Sequence, residues 1–173
     1  MLTLGYCGLR WGEAVALKVA DIDLARRRIA VHRSAVEVHG ETHLSTPKTD
    51  ASTRLVPLPA IVIEALRPEI EGRRPDDLVF PGATGDYMRR VRASTSSKSW
   101  WKTAGVETMV LHDLRHTAAS IAVNAGGNVK SVQRMLGHAS AAMTLDRYAD
   151  LFDDGLDRLL DQIDGVHGDA SSD

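Results

Sequence analysis

The chain has 173 residues, 43% hydrophobic and 25% charged, as expected of a globular domain large enough to bury a core of its own. No apolar run is long enough to span a bilayer, and the start lacks the basic and long apolar regions of a signal peptide; the one cysteine, Cys7, excludes an internal disulfide and fits a reducing cytoplasm. The net charge of −2 hides an asymmetry: residues 150–173 hold eight acids and one base, leaving 20 bases against 15 acids in residues 1–149, so the body can still present a positive face.

Residues 1–7 are apolar and read as the last turns of a helix that Gly8 ends. Residues 12–19 read as a short helix, and 28–32 alternate as a strand does. Residues 35–38 extend that sheet, with a turn at Gly40-Glu41. Residues 42–48 and 53–57 read as a hairpin turning at 48–52, giving one small antiparallel sheet of three strands. Pro59 opens a helix through about Glu71, and residues 78–82 are extended. Helices follow at 86–104, 112–125, 129–136 and 141–151, then an amphipathic one at 153–164. Residues 166–173 read as a disordered tail. The expected fold class is α+β, mainly α-helical.

On a helix over 112–125, Leu114, Ala118, Ile121, Ala122 and Ala125 share one face. His112 and His116 lie opposite, with Arg115 on their flank. His112 and Arg115 occupy the first turn, where unpaired N–H groups and the helix dipole favour an anion such as phosphate. A solvated polar face is the competing reading. His112 and His116 also have the spacing of zinc ligands, but no glutamate lies between them and the adjacent cations oppose a metal. Asn128 is placed to cap the helix over 129–136, and Gly137 fits its left-handed end, so that His138 projects from a fixed turn. Ser140 can cap the helix that carries Tyr148. Arg10 follows a glycine break, and Glu13 reads as a local ion-pair partner steadying its turn. Lys48 sits near a hairpin turn, from which its flexible stem can reach a substrate.

Gly-Leu-Arg-Trp-Gly-Glu at 8–13, Pro-Lys-Thr at 47–49, Leu-His-Asp-Leu-Arg-His-Thr at 111–117 and Leu-Gly-His at 136–138, followed by Thr144 and Tyr148, resemble the catalytic domain of the tyrosine recombinases, the phage integrase family. In many members the tyrosine follows the histidine by nine positions; here the step is ten, so a small change in the loop or helix start is expected. The resemblance implies site-specific recombination of double-stranded DNA through a 3′-phosphotyrosine, with no cofactor and no metal. By that likeness Tyr148 is the nucleophile, its pKa of about 10 lowered by nearby cations. Arg10 and Arg115 hold the non-bridging oxygens, and Lys48 is the general acid for the 5′-oxygen. His112 assists proton transfer at the tyrosine, His138 hydrogen-bonds the phosphate, and His116 makes a structural hydrogen bond. Arg89, Arg90 and Arg92, together with residues 26–28, are candidate contacts to the DNA backbone.

The family also implies assembly as a homo-oligomer, a tetramer on DNA, with a monomer as the alternative for this chain alone. Residues 1–165 are expected to be the catalytic domain, without the N-terminal core-binding domain that precedes it in full integrases. Alternatives are an inactive DNA-binding remnant, suggested by the helix–turn–helix look of 129–151, and relaxation of DNA in the manner of a type IB topoisomerase.

Overall fold

The computed structural model describes residues 1–39, 41–45, 53–89, 102–103, 105, 109–153 and 160. The chain opens with α1 (Leu2–Cys7), which Gly8 ends in the left-handed region at φ 65°. Next come α2 (Trp11–Val15) and a 3₁₀ turn at Val19–Asp21. Five strands follow: β1 (Ile22–Asp23), β2 (Arg28–Val31), β3 (Ser34–Val38), β4 (Glu41–Ser45) and β5 (Arg54–Pro57). The remaining named elements are helical: α3 (Ala60–Ile70), α4 (Asp113–Asn124), α5 (Val129–Leu136) and α6 (Ala141–Asp153). Among the described residues, no helix is long and apolar enough to cross a membrane.

The strands form two sheets rather than the single one expected. β1, β2 and β5 make an antiparallel sheet in that order, with Ile29 opposite Val56. Its inward residues Ile29, Val31, Val56 and Arg54 alternate with exposed ones, which ties this sheet to the core. β4 pairs with β3 instead of with β5, from Ser34↔Ser45 to Val38↔Glu41. The cause is local. Only two residues join β3 to β4, and His39 takes a left-handed φ of 50° there, so what reads as a break between strands closes a tight hairpin. Val36, Val38 and Leu44 stay exposed on this hairpin.

The helix expected to begin at residue 86 does not begin there. Tyr87 bridges to Pro81, and the Gly82 N–H donates to the Asp86 carbonyl at 2.6 Å. Most of the 86–104 segment, and of the helix expected at 153–164, lies outside the described residues, as does the 166–173 tail.

The core joins both halves of the chain. Leu9, Ile29, Val56, Leu58, Val62, Leu66 and Val79 meet Ala118, Ala119, Val132, Leu136 and Tyr148. α1 packs on α4, while α5 packs on β5, α4 and α6. α4 is turned by about one residue, roughly 100°, from its expected face. Arg115, Ala118, Ala119 and Val123 are buried, while Ile121 and Ala125 are exposed.

Gly8 is where α1, α4 and α5 come closest. A β-carbon there would lie 2.8 Å from Leu136 Cδ2 and 3.3 Å from the Ala118 β-carbon. Gly8→Ala is therefore expected to cost about 2–4 kcal/mol, combining left-handed backbone strain with overpacking. In a thermal melt this corresponds to a loss of roughly 5–15 °C; an unchanged midpoint would mean that the three helices do not meet at this residue.

Candidate active site

The site is built on the C-terminus of α5. Asn128 caps the start of this helix, its side chain accepting from the Ser131 N–H at 2.9 Å. Val132, Met135 and Leu136 are its buried stripe. Gly137 ends it at φ 67°, with its N–H on the carbonyls of Gln133 and Arg134. A helix end leaves carbonyls without intrahelical partners. Here three consecutive carbonyls each accept from an arginine of a different element. Arg54 Nε donates to Met135 at 2.9 Å, Arg115 Nη2 to Leu136 at 2.6 Å and Arg10 Nη2 to Gly137 at 3.3 Å. Arg115 Nη1 also donates to the Gly8 carbonyl.

Glu13 balances part of this charge. Its carboxylate accepts two bonds from Arg54, at 2.9 and 2.8 Å, one from Arg10 Nη1 at 2.9 Å, and one from the Arg10 backbone N–H at 2.8 Å. Burial pushes the Glu13 carboxyl up, but the bonds and charge of Arg54, reinforced by Arg10, outweigh it and hold the group below its ordinary range. The expected Arg10–Glu13 pair is present, and Arg54 is the partner that sequence reasoning missed. Its signal was the strand alternation that points it the same way as Val56 and Leu58.

The second wall comes from α4 and α6. His112 and His116 meet edge to face, with ring centroids 4.9 Å apart. His116 Nδ1 lies 2.7 Å from the Tyr148 hydroxyl, and His116 Nε2 lies 3.0 Å from Arg147 Nη2. The Tyr148 ring is buried in the core, and the helix kinks at this residue, with φ −135° and ψ 16°. His138 Nδ1 is 3.0 Å from Thr144 Oγ1, and its carbonyl accepts from Gln133 Nε2 at 3.1 Å.

The electrostatics are those of an anion site. Burial, and then the charges of Arg115, Arg10, Arg54 and Arg147, push His138 down to about 4. His112 and His116 are also lowered, first by burial and then by arginines. Burial and the charge of Arg10 bring Arg115 down to about 10, which leaves it charged at neutral pH.

Three expectations change. Tyr148 lies above its ordinary pKa, not below it, because burial outweighs the opposing pull of Arg115 and Arg147. The hydrogen bond expected of His116 is present, with the phenol as its partner. Arg115 is buried at 3% exposure with two of its donors on carbonyls, so it does not lie on an exposed flank; Arg10, with its side chain 47% exposed, is the more open guanidinium. At the first turn of α4, Asp113 accepts from the Val110 N–H at 2.7 Å, which places a carboxylate where a phosphate was expected. The described residues bring together Arg10, His112, Arg115, His138 and Tyr148. Arg89 is exposed, while Lys48, Arg90 and Arg92 lie outside the described residues. In the 26–28 cluster, Arg26 pairs with Asp23 at 3.2 Å, and Arg27 and Arg28 each donate to a carbonyl. Among the described residues there is no group of three or more His, Cys, Asp or Glu that could hold a metal ion.

The family model described as the phage integrase family matches residues 1–154. The integrase of ICEBs1 from Bacillus subtilis is 27% identical over 169 residues, covering 92% of this chain and 46% of that protein. The chain thus spans less than half the length of this relative. Among solved structures, the transposon Tn1549 integrase in complex with circular intermediate DNA superposes with a TM-score of 0.76 at 26% identity, covering 91% of this chain and 58% of that one. The XerA recombinase superposes with a TM-score of 0.67 at 28% identity, covering 92% and 54%. The fold is that of the tyrosine recombinase catalytic domain.

Two outcomes follow from the geometry. Glu13→Ala strands two guanidinium groups, one of them buried, and should cost about 3–5 kcal/mol in urea unfolding. Adding Arg54→Met should recover a large part of that loss; a strictly additive double variant would mean that the pair is not coupled. The second concerns acid. The folded histidines bind protons more weakly than in the unfolded chain, so their contribution is complete above about pH 6.5 and is lost on acidification, for His138 down to about 4. Glu13, also lowered on folding, extends the loss below that range. His138→Asn should flatten the slope of stability against pH between about 4 and 6.5, whereas an unaltered slope would mean that His138 titrates normally in the folded chain.

Proposed function

The chain belongs to the phage integrase family, and from that premise we propose that it cleaves and rejoins double-stranded DNA in site-specific recombination, through a covalent 3′-phosphotyrosine on Tyr148. One observation carries this reading: Arg10 and Arg115, 105 positions apart in sequence, donate to adjacent carbonyls at the end of α5, and the field they create reaches His138. A cluster this cationic, with Glu13 the one carboxylate bonded into it among the described residues, is complementary to a phosphodiester. Arg10 supplies the accessible donors for the non-bridging oxygens. Arg115 contributes fixed charge and the donors it has left, and stiffens the seam between α1 and α5.

Neutral His138, with Nδ1 accepting from the Thr144 hydroxyl, can donate its Nε2–H to a phosphate oxygen. His112, edge-on to His116, is within the same field and assists proton movement at the tyrosine side. Lys48 is the proposed general acid for the departing 5′-oxygen, on the likeness of Pro-Lys-Thr at 47–49 to the family motif. Attack forms a Tyr148 Oη–phosphorus bond as the bond from phosphorus to the 5′-oxygen breaks. A 5′-hydroxyl can reverse the step, because the phosphotyrosine conserves the energy of the broken ester. Arg89, Arg90 and Arg92 are proposed to track the DNA backbone, which makes binding steeply salt-dependent. The neighbour solved on circular intermediate DNA supports duplex DNA as the substrate here. Assembly is proposed to be a homo-tetramer on DNA, in the cytoplasm.

The test is a duplex nicked next to the scissile phosphate, so that the leaving strand diffuses away. The wild-type chain should become covalently attached to it, and Tyr148→Phe should reduce the adduct by about 10³-fold or more while still binding DNA. Reversible mobility shifts alone, from both proteins, would establish a binding module without catalysis.

A further inference from the structure

The hydrogen-bond chain at Tyr148 contains more information than a pair of contacts. His116 sits between two partners, with Nε2 3.0 Å from Arg147 Nη2 and Nδ1 2.7 Å from the Tyr148 hydroxyl. A guanidinium has only donors. A neutral imidazole has one donor nitrogen and one acceptor nitrogen. The nitrogen facing Arg147 must therefore be the acceptor, and the ring proton must sit on Nδ1, aimed at the phenolic oxygen. The opposite tautomer would set N–H against N–H at the Arg147 contact. We propose that Arg147 fixes His116 in the Nδ1–H tautomer, so that His116 acts as a catalytic hydrogen-bond donor to the Tyr148 oxygen and not as the base that deprotonates it. This deepens the reading of Tyr148 as the nucleophile and rests on it.

Other features agree. Burial, then the Arg147 and His112 charges, lower the affinity of His116 for a second proton, so the ring stays neutral and its single proton is the one Arg147 assigns. The edge-to-face contact with His112 restrains the ring plane. Arg147 is exposed on α6 directly before the tyrosine, so the device lies within one turn of the nucleophile.

The consequence is specific. A donor on one lone pair of the phenolic oxygen stabilises negative charge there and leaves another lone pair for phosphorus. In cleavage, the Oη–phosphorus bond forms as the bond to the 5′-oxygen breaks. The phenolic proton leaves to water with the assistance of His112, and Lys48 supplies the proton that the 5′-oxygen gains. In rejoining, the phenolate departs against the same donor. His116 thus serves both directions without changing its protonation state, and Arg147 is a positioning residue acting through it.

The tautomer can be read without DNA. Nitrogen-15 NMR of the histidine side chains in the full chain should show His116 protonated on Nδ1, and Arg147→Met should shift it towards Nε2–H. On the nicked duplex, Arg147→Met should slow adduct formation at least about 10-fold with little change in DNA affinity, and the ultraviolet titration of Tyr148 should move to higher pH. His116→Asn, whose side-chain N–H falls near the position of Nδ1, should stay within about 10-fold of wild type. His116→Leu should lose about 10²-fold, as expected for removal of one transition-state donor. An Nε2–H tautomer in the wild type would overturn the proposal. So would an Asn variant as slow as the Leu one, or an Arg147→Met defect wholly accounted for by weaker DNA binding. A wild-type chain that forms no adduct would sink the recombinase reading instead, while the NMR result would still decide the tautomer.

Discussion

Three carbonyls at the end of one helix organise this molecule. Met135, Leu136 and Gly137 expose acceptors at the negative end of the α5 dipole, and arginines from β5, α4 and the start of α2 satisfy them. Each such charge-assisted bond contributes on the order of 1.5–3 kcal/mol. Their larger effect is geometric. They fix guanidinium groups from residues 10, 54 and 115 around one turn, which no local stretch of sequence could do. Gly137 makes this possible. Its left-handed backbone turns the chain, and a β-carbon there would lie only 2.9 Å from Arg54 Nη1, in space that the Arg54 side chain needs.

Collecting cations in a half-buried place has a cost, and the structure offsets it unevenly. Glu13 answers Arg54 and Arg10 with four hydrogen bonds. Arg115 relies on backbone carbonyls for its contacts, and the histidines respond by giving up their charge. The result is a pocket whose arginines stay charged while its imidazoles are held towards the neutral form. The buried phenol fits the same balance. Burial holds Tyr148 above its ordinary pKa, against the opposing pull of Arg115 and Arg147.

What could be read from sequence divides along physical lines. Capping was legible because it is local. Gly8, Asn128, Gly137 and Ser140 all end or start helices where their chemistry says they should. The motif residues were legible as a set, and Arg10, Arg115, His138 and Tyr148 do converge. Strand pairing was not, because a two-residue link at His39 competes with a longer connection, and alternation does not say which wins. The face of α4 was misread for a related reason. A hydrophobic wheel places arginine outside, yet Arg115 enters the core because distant carbonyls, unknowable from α4 alone, pair with it. Arg54 was hidden by the same prejudice, although the phase of β5 pointed it inward.

The ten-residue step from His138 to Tyr148 shows which constraint yields. Sequence suggested an adjusted loop or helix start. α6 instead begins normally, with Ser140 capping through the Met143 N–H at 3.3 Å and Thr144 fully buried against His138, and the irregularity falls on Tyr148 itself. The energies explain the choice. Exposing the tyrosine ring would forfeit about 2–3 kcal/mol of apolar burial and its hydrogen bond to His116. Kinking the backbone sacrifices of the order of one helical hydrogen bond, about 1 kcal/mol. The ring therefore keeps its place and the helix bends. The phenolic oxygen is positioned by what surrounds the side chain and not by the regularity of the helix that carries it. Arg147, the residue before Tyr148 in sequence, reaches the far nitrogen of His116.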